Sequence, residues 1–184
     1  MPPRRLASRY VALLRAINVG GHTVRMEDLR ALFVEMGFAD VESVIASGNV
    51  LFSSRSGTAA TVETKIERAL ASALGYEVTT FIRQREELEA VVKVEALSQM
   101  SPAAEDHVLS VAFLKRAPDP DAVRALLALR NDVDDFLVRG REVFWLRRTR
   151  QQAGQVAGPR FERTLRLSAT VRNITTVRKL SLKA

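Results

Sequence analysis

Arg15, Asn18, Gly20 and Gly21 fall within one short stretch, and Ser47, Gly48 and Asn49 follow about thirty residues later. Their types are those of a binding loop. A guanidinium offers a bidentate contact to an anion, side-chain amides offer paired donors and acceptors, and glycines let the backbone come close to a ligand. The same residues have a plain structural use: glycines turn the chain, and Asn18 and Asn49 can satisfy the polar backbone of their own loops.

A second set is purely cationic: Lys115, Arg116, Arg139, Arg141, Arg147, Arg148, Arg163 and Arg166. The formal charge is +7 with a pI of about 10.5, but it is unevenly spread. Residues 1–136 carry 16 Lys or Arg against 19 Asp or Glu, a net of −3, and residues 137–184 carry 12 against 2, a net of +10. Cations at that density meet an anion or point into solvent, and a polyanion such as nucleic acid is the natural partner. Arg163 and Arg166, three apart, share one side of a helix. A composition of 23 Arg to 5 Lys accounts for arginine over lysine, not for the scarcity of acids after Glu142.

Other chemistries are excluded by what the chain lacks. It has no cysteine and two histidines, His22 and His107, so disulfide scaffolds, thiolate metal sites, cysteine nucleophiles and multi-histidine centres fall away. Gly-x-Ser-x-Gly, Gly-Lys-Ser/Thr and Gly-x-Gly-x-x-Gly are absent, and no catalytic residues or cofactor are assigned. His22 could act as a base near Ser47, but its plainer reading is an exposed loop histidine. Asp132, Asp134 and Asp135 lack the glycine and distal glutamate of a calcium loop and read as a solvated turn. No run approaches the roughly 20 apolar residues of a membrane span, so the expectation is a soluble, cytoplasmic protein with no membrane partner.

The elements that would position these residues alternate in a recognisable order. Tyr10–Leu14 reads as a buried strand. A helix follows from Met26 with Leu29, Leu32, Phe33 and Met36 on one stripe and Gly37 as its stop. Val41–Ala46 and Val50–Phe52 are strands around Ser47-Gly48-Asn49, Val62, Ile66, Leu70 and Leu74 line a second helix, and Glu77–Ile82 is a fourth strand. The order β-α-β-β-α-β is the ferredoxin-like motif, with sheet order 4-1-3-2. A helix at Glu86–Val94 and a polar stretch, Ser98–His107, connect to a second round. That round comprises strands Val108–Leu114, Phe136–Val138, Val143–Leu146 and Ala169–Arg172, with helices opened by Asp119-Pro120 and by Pro159. Asn173 caps a terminal helix carrying Ile174, Val177 and Leu180. The expected architecture is therefore α+β, with two ferredoxin-like halves at 1–83 and 108–184, the second ending in the C-terminal helix, joined by 84–107, as from an internal duplication. Strand one is apolar on both faces, so its second face should be covered, by the other half or by a partner. The topology puts Arg15, Asn18, Gly20 and Gly21 beside Ser47, Gly48 and Asn49 at one edge, and Lys115 and Arg116 beside Arg139 and Arg141.

Tyr10–Gly21 (YVALLRAINVGG), Ser47–Phe52 (SGNVLF) and Thr170–Val177 (TVRNITTV) together resemble one bacterial family, the domain of unknown function 1697, whose pattern runs LLRGINVGG, SGNVLF and TxRNWNTV. The resemblance spans nearly the whole chain. It implies a small soluble bacterial protein of α+β fold and supplies no activity. The matching polar positions are Arg15, Asn18, Ser47, Asn49, Arg172, Asn173 and Thr176. Ala16 stands where the pattern has glycine, Ile174 and Thr175 where it has Trp and Asn, and Gly154–Phe161 fits poorly. Two functions follow as expectations: nucleic-acid or polyanion binding through the basic last quarter, or small-molecule or anion binding at the Arg15/Asn18/Ser47/Asn49 loops. The strands lack the aromatic platform of RNA-recognition sheets, so nucleic-acid binding would rest on the phosphate backbone.

Overall fold

A computed structural model describes residues 7–18, 20–45, 48–55, 57–94, 107–148, 156 and 158–184. Ser47, Ala46, the stretch before His107 and most of the loop after Arg148 lie outside the described residues. The chain divides into two compact units, 1–89 with 179–184, and 90–178.

In the first unit, β1 (Ser8–Leu14), α1 (Met26–Glu35), β2 (Ala39–Ser43), β3 (Asn49–Ser54), α2 (Ala59–Leu74) and β4 (Thr80–Gln84) precede α3 (Arg85–Val92). The sheet order is β2-β3-β1-β4, the expected 4-1-3-2. The helix stripes explain its core: Leu29 and Phe33 of α1 and Val62, Ile66 and Leu70 of α2 pack with Tyr10, Ala12, Leu14, Val50, Phe52 and Ile82 of the sheet. Thr58 and Thr61 form a reciprocal capping box that starts α2, and left-handed Gly75 ends it. The alternate strand residues Val11, Leu13, Leu51 and Phe81 are fully buried too, so β1 is covered on both faces.

The strands of this sheet shift or extend by one to three residues from expectation, and β2 and β4 show why. β2 begins at Ala39 because Asp40 adopts a positive φ of 50° and the register with β3 shifts there. β4 runs on to Gln84, paired with Tyr10; its polar end, including the fully buried Arg83, does not look like strand until the pairing with β1 is known.

The second unit repeats the arrangement. β5 (Val108–Leu114), α4 (Pro120–Leu127), β6 (Asp134–Arg139), β7 (Glu142–Arg147), α5 (Gly158–Leu165) and β8 (Ala169–Asn173) are followed by α6 (Ile174–Lys183), with sheet order β6-β7-β5-β8. Ala112, Leu114, Leu126, Phe136, Val143, Trp145, Phe161 and Leu165 form its core. The registers match as well: Leu14 faces Thr80 as Leu114 faces Ala169. Leu14 N–H donates to Gly48 C=O at 2.8 Å, as Leu114 N–H does to Arg141 C=O at 2.9 Å. The protein is α+β with two equivalent four-stranded halves and a C-terminal helix.

The halves differ at their edge strands. The outward amides of β4 are each held by a carboxylate: Thr80 N–H by Glu67 at 2.9 Å, Ile82 N–H by Glu63 at 2.9 Å, and Gln84 N–H by Glu87 at 2.8 Å. Such capping satisfies an edge that would otherwise pair with another chain. On β8, Glu162 holds the amide of Ala169 at 2.7 Å. Four residues before Glu162, where Glu63 stands relative to Glu67, the chain has Gly158. Among the described residues no helix is long and apolar enough to cross a membrane.

Candidate functional site

The first-half loops meet as the topology requires. Besides the Leu14–Gly48 bond, Arg15 N–H donates to Thr79 C=O at 2.9 Å. The amides face inward to their own loops: Asn18 Oδ1 accepts from Val24 N–H at 2.8 Å, and the fully buried Asn49 donates through Nδ2 to Val44 C=O at 3.1 Å. Gly48 is left-handed, and a Cβ there would stand 2.9 Å from Ile17 Cγ2, so a side chain is excluded. Gly20 and Gly21 are also left-handed but border open space. Tyr76 donates its hydroxyl to Ile17 C=O at 2.8 Å, and His22 stacks on Tyr76 with centroids 4.0 Å apart. Arg15 is half-buried. Asn18 and Asn49 thus fasten these loops.

At the equivalent end of the second sheet, glycine and amide give way to charge. Where the first half has Arg15 and Gly48, the second has Lys115 and Arg141, lashed together by the Leu114–Arg141 bond. Lys115, Arg116 and Arg139 are exposed and Arg141 half-buried around Gly140. Arg166, exposed and left-handed at φ 54°, ends α5 three residues before Ala169, the partner of Leu114. Among the described residues, the acids at or near this end are Asp119, 3.8 Å from Arg116, Asp121, paired with Arg124, Glu142, and Glu162, which holds β8. Arg163 reaches back along α5 to Pro159 C=O at 3.2 Å. Arg147 and Arg148 do not join this group: β7 carries the chain six residues away from Arg141, about 20 Å at strand rise. Arg148 is engaged there by Asp135 at 2.7 Å and Asn131 C=O at 3.3 Å.

Arg172, Asn173 and Thr176 sit where β8 passes into α6. Arg172 donates to Thr170 Oγ1 at 2.8 Å and Val171 C=O at 2.9 Å, and burial pulls its guanidinium below its usual value to about 10. Asn173 is the N-cap, its Oδ1 accepting from Thr175 N–H at 2.9 Å and Thr175 Oγ1 at 2.8 Å. Thr176 is half-buried in the first turn.

The far end of the second sheet holds a group the sequence reading missed. Asp134, expected on a solvated turn, is fully buried. Its Oδ1 accepts from Trp145 Nε1–H at 2.8 Å and its Oδ2 from Val156 N–H at 3.4 Å. The available signal was parity: Asp134 is two residues before Phe136 on the inward face of β6. Arg147 Nε lies 3.8 Å from Asp134, and its guanidinium lies 5.2 Å from the Trp145 ring centroid. A cavity of about 100 Å³ opens beside them, lined by Val108, Ser110, Trp145, Arg147 and Val171. Among the described residues, the buried side-chain polar atoms without a hydrogen-bond partner are Arg147 Nε and His107 Nδ1, both at this end.

The chain is similar to a solved structure, that of the conserved bacterial protein SP0830 from Streptococcus pneumoniae, at 26% identity and a TM-score of 0.73 over 96% of this chain and 98% of that one. No curated protein matches. The model of the family described as protein of unknown function (DUF1697) matches residues 7–144. That span takes in the first four-stranded sheet, both fastened loops and the second sheet as far as Phe144, and the chain belongs to the DUF1697 family.

Proposed function

We propose that the protein binds the phosphate backbone of a nucleic acid through the end of the second sheet formed by Lys115, Arg116, Arg139, Arg141 and Arg166. The observation that carries this reading is the bond from Leu114 N–H to Arg141 C=O at 2.9 Å. It fixes two cationic segments against each other where the first half, with the same bond, has a glycine. The pairing gathers the cations at one end of the sheet, and phosphate-backbone contact suits a sheet without an aromatic platform. A cytoplasmic location, where nucleic acid is met, belongs to the same proposal.

Fluorescence anisotropy with labelled single-stranded RNA, a short DNA duplex and heparin tests it. Affinity should fall steeply between about 50 and 200 mM salt, with a log–log slope of about −2 to −3 for three to four single-strand phosphate contacts. Arg139→Ala with Arg141→Ala should weaken binding at least tenfold and flatten the slope, and Arg148→Ala should leave both unchanged. Absence of binding to either nucleic acid at about 50 mM salt sinks the reading, and binding to heparin alone removes nucleic acid as the partner.

A further inference from the structure

We infer that the edge of β8 is a docking site for an extended acidic segment of a partner protein, whose carboxylates at alternate residues cap the Val171 and Asn173 amides. The first half is the template. Leu14 faces Thr80 as Leu114 faces Ala169, so Thr80, Ile82 and Gln84 correspond to Ala169, Val171 and Asn173. On β4 all three outward amides are held, by Glu67, Glu63 and Glu87. An outward carbonyl is held as well, Arg83 donating to Ile82 C=O at 2.9 Å. β8 keeps half of this arrangement: Glu162 holds Ala169 N–H at 2.7 Å, and Arg172 donates to Val171 C=O at 2.9 Å. The other two carboxylates are gone. Gly158 stands four residues before Glu162, as Glu63 does before Glu67, and Thr176 stands three residues after Asn173, as Glu87 does after Gln84. One helical turn of four residues, about 6 Å, matches two strand residues, about 7 Å, so Gly158 answers to Val171 as Glu63 does to Ile82.

The chemistry of this edge selects its occupant. Val171 and Asn173 are exposed, and among the described residues no carboxylate meets their amides. With the Val171 carbonyl already engaged, Val171–Asn173 presents donors, which suits an acceptor-only carboxylate better than a strand that must also donate. Amides two residues apart on a strand lie about 7 Å from each other, beyond one carboxylate and equal to the spacing of alternate side chains on an extended peptide. A Cβ at Gly158 would meet nothing within 4 Å, so a side chain from outside has room there, and exposed Val171 gives its stem an apolar neighbour. Charge argues against a second copy of this chain. Between Val143 and Ala184 the one acid is Glu162, whereas Arg160, Arg163 and Arg166 on or just after α5 and Arg178 and Lys179 on α6 are exposed. Two β8 edges would set these cations against each other, and an acidic segment offsets them.

The full chain is titrated with short labelled threonine peptides carrying three glutamates at alternate positions, three glutamates at every third position, or three glutamines at alternate positions. The alternate-glutamate peptide should bind saturably and shift the Val171 and Asn173 amide ¹H–¹⁵N resonances, leaving those of Ile82 and Gln84 in place. The every-third peptide, of equal charge, should bind at least fivefold more weakly, and the glutamine peptide should not bind. Gly158→Glu supplies the carboxylate that Glu63 supplies on β4 and should weaken binding at least tenfold. Thr164→Glu, with the same charge on another side of α5, should change it less than twofold. Arg139→Ala with Arg141→Ala should leave it within twofold, which separates this edge from the basic end. Absence of saturable binding, equal binding of the two glutamate peptides, or a folded Gly158→Glu protein that binds like wild type overturns the inference. So does a short single-stranded RNA that displaces the peptide and shifts the same two amides, since the edge then takes phosphate.

Discussion

Replacing Gly48 by alanine adds one methyl group at a point where two demands meet. The residue has φ of +72°, and its Cβ would stand 2.9 Å from Ile17 Cγ2 and 3.2 Å from both Leu14 Cβ and Leu14 O. The left-handed conformation costs an L-residue about 1–2 kcal/mol. Ile17 and Leu14 are buried at 3% and 2% exposure, and forcing a methyl into such packing costs about 1–3 kcal/mol more. The expected loss is about 2–5 kcal/mol. Gly20 separates the two contributions, since its φ is +70° but nothing lies within 4 Å of its Cβ position. Gly20→Ala should therefore show the conformational part alone. In urea followed by far-ultraviolet circular dichroism, Gly48→Ala should lower the first unit's midpoint by about 1–2.5 M, at an m-value of about 2 kcal/mol/M. Fluorescence of Trp145, which lies in the second unit, shows whether that unit is spared. Equal losses for Gly48→Ala and Gly20→Ala would refute the packing argument, and no loss for either would refute the conformational one.

Glu63→Ala removes the acceptor of the Ile82 amide and should destabilise the protein by about 2 kcal/mol, with faster hydrogen exchange at Ile82. Glu63→Gln keeps a carbonyl acceptor and should lose about half as much, so an alanine variant as stable as the glutamine one would show that the edge amide needs no cap. Ala16 has φ of 58° where the family pattern has glycine. Ala16→Gly should stabilise the protein by about 1 kcal/mol and raise the melting temperature by a few degrees, and a fall in melting temperature would show that the conformation carries no strain.

Much of the fold was legible because its signals are local. The stripes Leu29-Phe33 and Val62-Ile66-Leu70 and the Gly37 stop report helices from neighbours a turn apart. Their order implied a sheet that sets the Arg15–Gly21 loop beside Gly48 and Asn49. The first-half loops were located correctly, but whether Asn18 and Asn49 face a ligand or their own backbone depends on a few ångströms of loop path that residue types do not encode. Glu63 and Glu67 look like solvated helix acids until β4 places its outward amides beside them. Asp134 looks like part of an acidic turn until β6 turns it inward to Trp145.

The sequence alone determined the alternation of elements, the duplicated order and the excess of positive charge in the last quarter, since each is a sum over types or a short-range periodicity. Tertiary structure decided how that charge is divided. Arg141 and Arg147 are six residues apart, and one strand sets them at opposite ends of a sheet. Arg141 is lashed beside Lys115 and Arg116, and Arg147 is left beside a cavity with a donor that Asp134 cannot reach. Strand direction and pairing fix such distances, and both are long-range properties that exist only once the chain has folded.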